Sequence, residues 1–187
     1  MEYFAVIDTE TNISDRVMSV GIVIAETSSF KMVDERYYII DPEYYIEGMY
    51  TSELHAQGRA HKEEILSRRK TISKIEALFS TYKVEKIFAY NASFDKKHLV
   101  ELSSYGWFDI MKIAAYKQYN DRIPATVVCC KTGRMKCNFG VESMMRILSG
   151  NKRYREKHNA ICDALDELEL MRLLGKALDI YDVAKCK

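Results

Sequence analysis

Three strand-like stretches fill much of the first 41 residues, separated by short links: the apolar Tyr3–Asp8 (YFAVID), the β-branched Val17–Ala25 (VMSVGIVIA) and the alternating Lys31–Asp41 (KMVDERYYIID). Runs of this kind read as strands. Three strands joined by short connections predict an antiparallel meander at the start of a sheet, and Asp41-Pro42 stops the third.

The pattern then changes. Glu43 to Arg59 is irregular, after which Ile72, Ile75, Ala77, Leu78 and Phe79 fall near helical spacing and predict an amphipathic helix. Lys86–Ala89 (KIFA) reads as a brief buried strand, and Phe94–Leu102 and Asp109–Tyr116 as helices. Thr132-Gly133 predicts the turn of a β-hairpin around Val127–Phe139. Helices over Val141–Leu148 and Ala160–Leu174 complete the chain, the second with Ile161, Leu165, Leu168 and Leu174 on one side. Strands first, then alternating helix and strand, predict an α/β fold: a mixed central sheet flanked by helices. Ligands of such sheets gather at the ends of the central strands.

The bulk numbers narrow the class. The 187 residues suit one domain, 1–187, and two prolines with eight glycines leave little for a linker. A net charge of +1 is unlike that of a strongly basic binding module, yet fits an acidic centre with basic flanks. Five cysteines without framework spacing read as free thiols. Cys129, Cys130 and Cys137 flank the expected hairpin and lack the paired spacing of a zinc site. No apolar run approaches the roughly 20 residues of a membrane span, and Met1-Glu2-Tyr3-Phe4 is unlike a secretory signal. A cytoplasmic protein without membrane partners is expected.

Three acidic motifs carry the chemistry. Asp8-Thr9-Glu10 closes the first strand, where residues i and i+2 share a face and can meet one cation. Oxygen ligands of this kind suit Mg²⁺ or Mn²⁺. Asn91-Ala92-Ser93-Phe94-Asp95 follows the KIFA strand and opens a helix, so Asp95 reads equally well as a ligand or as a helix cap. In His158-Asn159-Ala160-Ile161-Cys162-Asp163, His158 and Asp163 share no face of an ideal helix. They converge only if His158 sits in the preceding loop, where it can take a proton from water near neutral pH.

Together these motifs resemble the DEDDh, or DnaQ-like, 3′–5′ exonucleases of the ribonuclease H-like superfamily. Asp8 to Thr11 matches the family's D-T-E-T, Asn91 to Asp95 its Asn-x-x-Phe-Asp, and His158 to Ala164 its His-x4-Asp-Ala. Position 159 is Asn, which sets the chain apart from the sister group with a tyrosine there. The likeness runs from about Tyr3 to Leu174.

The resemblance implies a ribonuclease H-like sheet, antiparallel in its first strands and then parallel. It further implies two divalent cations, Mg²⁺ or Mn²⁺, on Asp8, Glu10, Asp95 and Asp163, with His158 as general base. Thr9, Asn91, Phe94 and, from Leu54-His55-Ala56, His55 would meet the terminal nucleotide. Phe108-Asp109 is a weaker echo, with Ile110 in place of the family's threonine. Arg153 and Arg155, in the basic stretch Asn151–Lys157, are expected to contact backbone phosphates. The partners expected are DNA or RNA 3′ ends, single-stranded for preference and with DNA favoured. An RNA-trimming nuclease, a non-catalytic nucleic-acid-binding domain and a structural α/β domain with incidental carboxylates are the competing readings.

Overall fold

A computed structural model describes residues 2–55 and 63–187. The three strand-like runs form β1 (Tyr3–Thr11), β2 (Val17–Glu26) and β3 (Met32–Asp41), paired antiparallel in sequence order as the short links require. The next elements are β4 (Glu63–Ser67), α1 (Arg68–Tyr82), β5 (Lys86–Ala89), α2 (Ala92–His98), β6 (Gly106–Asp109) and α3 (Ile110–Ala114). Two further helices, α4 (Val141–Ser149) and α5 (Ala160–Leu174), precede a final 3-10 segment at Leu178–Ala184. The strand order is β4-β3-β2-β1-β5-β6. β5 pairs parallel to β1, β6 parallel to β5, and β4 parallel to β3. Only β2 therefore runs against the rest, and this mixed sheet flanked by helices has the ribonuclease H-like arrangement.

Alternation along β1 divides the core. Phe4 and Val6 face α5 and the C-terminal 3-10 segment, whereas Ala5 and Ile7 face the side of Ile72, Ile75 and Phe79 from α1. Asp8 and Glu10 continue the α5 face beyond the apolar core, and two carboxylates thereby come to the end of a central strand. Gly21 pairs with Asp8 across the β1–β2 ladder. A Cβ at Gly21 would lie 2.1 Å from the Ala160 carbonyl oxygen and 2.4 Å from the Ile161 nitrogen. Only glycine lets the first turn of α5 lie this close to the sheet.

Several elements differ from the sequence expectation. The helix expected over Phe94–Leu102 stops at His98, because Leu99 leaves helical geometry (φ −117°, ψ 56°) as it buries its side chain. A separate 3-10 turn covers Val100–Leu102. Instead of Asp109–Tyr116, α3 covers Ile110–Ala114, with the Asp109 side chain capping it through the Met111 N–H. The chain does turn at Gly133 (φ 88°), but its flanks make single bridges, Cys129 to Met135 and Tyr116 to Arg134, instead of hairpin strands. The irregular stretch holds two 3-10 turns, Glu43–Tyr45 and Thr51–Glu53, and its residues 56–59 lie outside the described residues. Among the described residues no helix is long and apolar enough to cross a membrane.

Candidate active site

The site lies where β1 ends against the first turn of α5. Asn159 caps α5 by accepting the Cys162 N–H, and its amide donates to the carbonyl oxygens of Glu53 (2.6 Å) and Leu54 (3.3 Å). Tyr37, on β3, donates its hydroxyl to the same Leu54 oxygen. This clamp ties the helix start to the 3-10 turn at Thr51–Glu53, with His158 just outside the helix in left-handed backbone (φ 53°). The two ends of the His-x4-Asp motif converge as a result. Ligating atoms of Glu10, His158 and Asp163 all lie within 4.8 Å of one another.

Asp95 reaches the same region from α2. It is 2% exposed and accepts a 2.7 Å hydrogen bond from the Thr9 hydroxyl, so Thr9 serves a ligand candidate with its side chain. Tyr50 presents its ring to His158 in a stack, with centroids 4.1 Å apart and planes 10° from parallel.

The electrostatics are one-sided. Burial first, then Glu167, Asp95, Asp163 and Glu10, raise Asp8 well above the usual carboxylate range. Burial and then Asp163 and Glu156 push Glu10 up to about 8. Asp163 rises to about 8 through burial, Glu156 and Asp166, although the Asn159 and His158 backbone N–H groups pull against the shift. Asp95 rises to about 7 because burial outweighs the Thr9 hydrogen bond. Burial, followed by Asp95, also raises Glu167.

Buried carboxylates of one sign are tolerated when a cation neutralises them. Two features fit a cation here. Asp8 Oδ2 and Asp163 Oδ1 are sealed from solvent without a hydrogen-bond partner, and the donor set is oxygen with one imidazole. That set suits a hard divalent ion.

The remaining sequence candidates are more dispersed. Phe94 is 38% exposed and packs against His98 with ring centroids 4.3 Å apart. Asn91 is exposed in left-handed backbone, its N–H donating to Asp109, so Asp109 joins the β5–α2 junction to α3. His55 is exposed and pairs with Glu63 (2.9 Å), next to the Leu54 carbonyl that Asn159 grips. Arg153 is exposed; Arg155 is also exposed and lies 3.6 Å from Glu142. Cys129, Cys130 and Cys137 are free thiols.

Sequence reasoning missed Tyr50, Glu156 and Glu167. Tyr50 lies in the irregular stretch, where no periodicity marks it. Glu167 carried one overlooked signal: it follows Asp163 by four residues and so shares its helix face.

This combination of a sheet in which only β2 is reversed and carboxylates at the end of the central strand defines the class by fold. No family model matches the sequence, and no curated protein matches it. Solved structures do match. One is a 3′-exonuclease bound in 3′-end-specific recognition of a histone mRNA stem-loop (TM-score 0.63, 12% identity, 94% of this chain and 65% of that one). Another is E. coli Exonuclease I with a dT13 oligonucleotide (TM-score 0.64, 14% identity, 98% of this chain and 43% of that one). A third is the nuclease domain of 3′hExo, a DEDDh family member, bound to rAMP (TM-score 0.64, 14% identity, 100% of this chain and 96% of that one). The chain thus spans less than two thirds of the first two proteins. At these identities the likeness concerns the fold, which is that of DEDDh-type 3′-exonucleases.

Proposed function

We propose that the chain is a metal-dependent 3′–5′ exonuclease of the DEDDh type, releasing nucleoside 5′-monophosphates from the 3′ end of a nucleic acid strand. The observation that carries this reading is the convergence of Glu10, His158 and Asp163 within 4.8 Å, beside sealed, unpartnered oxygens of Asp8 and Asp163. A scaffold or a pure binding domain has no use for so costly an arrangement of buried like charges.

Asp8, Glu10, Asp95 and Asp163 would hold two divalent cations, Mg²⁺ or Mn²⁺. When bound, such ions activate the attacking water and stabilise the leaving 3′-oxygen. His158 would take the proton from that water at a free ring nitrogen, and the Tyr50 stack fixes the plane of its imidazole. Thr9 holds the Asp95 carboxylate in one orientation. Phe94, part exposed beside Asp95, would offer an apolar face to a terminal base or sugar, with Asn91 and His55 as further contacts to that nucleotide. Arg153 and Arg155 would meet backbone phosphates as the strand approaches His158.

A single-stranded 3′ end is the substrate proposed, because an unpaired strand can reach the site without prior unwinding, and DNA is placed ahead of RNA. The proposed site of action is the cytoplasm. End-labelled single- and double-stranded DNA and RNA, incubated with Mg²⁺, Mn²⁺ or EDTA, test the reading. The expected result is stepwise shortening from the 3′ end of single strands in either metal and none in EDTA. Intact substrates in every arm would overturn it.

A further inference from the structure

Among the carboxylates around this site, Glu167 matches none of the three motifs. It is 1% exposed and lies one turn along α5 from Asp163, on the same helix face. Its carboxylate accepts the backbone N–H of Tyr90, at the junction of β5 with α2, so one end of the group is fixed. Its other oxygen, Oε2, is sealed from solvent with no hydrogen-bond partner. The charged groups that face Glu167 are Asp95 first, then Asp163 and Glu156, and Glu167 is in turn the strongest charged neighbour of Asp8. The group therefore belongs to the same buried acidic cluster as Asp8, Asp95 and Asp163.

A merely structural role would need only an acceptor for the Tyr90 N–H. Glutamine supplies one with the same volume and without a buried charge, and methionine would fill the space at no electrostatic cost. What a glutamate adds at this position is a second anionic oxygen, sealed and unpartnered within the cluster of Asp8, Asp95 and Asp163. We propose that Glu167 is a fifth carboxylate of the metal centre, and that its Oε2 ligates, directly or through one water, the cation shared by Asp8 and Asp95. The inference rests on the nuclease reading, since it presupposes that Asp8 binds metal. Its chemistry is that of a hard divalent cation gaining one more oxygen donor, with tighter retention on the inner side of the site.

Mn²⁺ binding to the full chain, measured by titration calorimetry and by electron paramagnetic resonance of free Mn²⁺ without nucleic acid, tests it directly. Wild type is expected to bind two Mn²⁺, and Asp8→Asn to lose at least one. Glu167→Gln should weaken one Mn²⁺ by roughly 10- to 100-fold, as loss of a ligand or of its supporting contact does. Its melting temperature in EDTA should stay equal to that of wild type or rise. Glu167→Asp keeps the charge but withdraws it by one methylene, and should weaken the same ion. Wild-type stoichiometry and affinity in both variants would overturn the inference and leave the nuclease reading intact. Failure of wild type to bind Mn²⁺ would overturn both.

Discussion

The cluster of buried carboxylates makes a prediction about the metal-free protein that does not depend on activity. Glu10 and Asp163 are held at about 8 and Asp95 at about 7, chiefly by burial, whereas in the unfolded chain such groups titrate near 4. Between about pH 4.5 and pH 7 the folded protein therefore keeps protons that the unfolded chain has released. By linkage, stability falls as pH rises through this window. Each proton so retained corresponds to about 1.4 kcal/mol per pH unit. One such proton costs about 3 kcal/mol between pH 5 and pH 7. For a chain of this size that lowers Tm by roughly 6–12 °C. A divalent ion bound to the ionised form offsets the loss, by about 2.7 kcal/mol per site at 100 times its Kd. Differential scanning calorimetry in EDTA and in Mg²⁺, from pH 5 to pH 8, reads both effects. The melting temperature in EDTA should fall with pH, the Mg²⁺ increment should grow with pH, and Asp163→Asn should flatten the EDTA slope. A Tm in EDTA that is level or rising from pH 5 to pH 7.5 would refute the reasoning, because the carboxylates would then be ionised in the metal-free fold and stabilised by the protein's own groups.

Three further outcomes follow from the geometry. Gly21→Ala places a methyl group against the Ala160 backbone, which cannot move without shifting α5, so a loss of about 3 kcal/mol by urea unfolding is expected, at the high end of overpacking costs. Activity should drop even where the variant is folded, since Asp163 moves with α5. Tyr50→Ala should lower kcat by roughly 10- to 100-fold through a misplaced His158 while Mn²⁺ affinity stays unchanged; Tyr50→Phe, which keeps the stack, should restore most of the rate. Arg153→Ala and Arg155→Ala should each reduce the salt dependence of single-strand binding by about 0.7 in log–log slope, and an unchanged slope would remove that arginine from the substrate path.

Much of the fold was legible because its signals are local. The strand-forming runs of β1, β2 and β3, with links too short for anything but antiparallel pairing, show themselves in the residues alone, as does the apolar spacing of α5. The four-residue β6 was not read, because Gly106–Asp109 gains strand geometry only by lying alongside β5. The hairpin expected around Gly133 was read from its turn. Turn chemistry sets a reversal of the chain, but without a sheet to join, its flanks make only isolated bridges.

The site divides in the same way. Asp8, Glu10, Asp95, His158 and Asp163 stand out as candidates by motif and position. Gly21, Tyr50 and Glu167 matter through what they meet in space: a helix backbone, an imidazole and a neighbouring carboxylate. Glu167 shows the limit most clearly. Among Asp163, Asp166, Glu167 and Glu169 it reads as one more charge on a solvated helix, whereas the fold buries it to 1% exposure one turn from Asp163 at 3%.

The central claim is tested most directly with a 5′-labelled single-stranded oligonucleotide in Mg²⁺, comparing wild type with Asp8→Ala at matched folded fraction. Wild type should produce a ladder shortened from the 3′ end together with nucleoside 5′-monophosphates, and the variant should produce neither. Wild-type turnover by the Asp8→Ala protein, or shortening that persists in EDTA, would contradict the account.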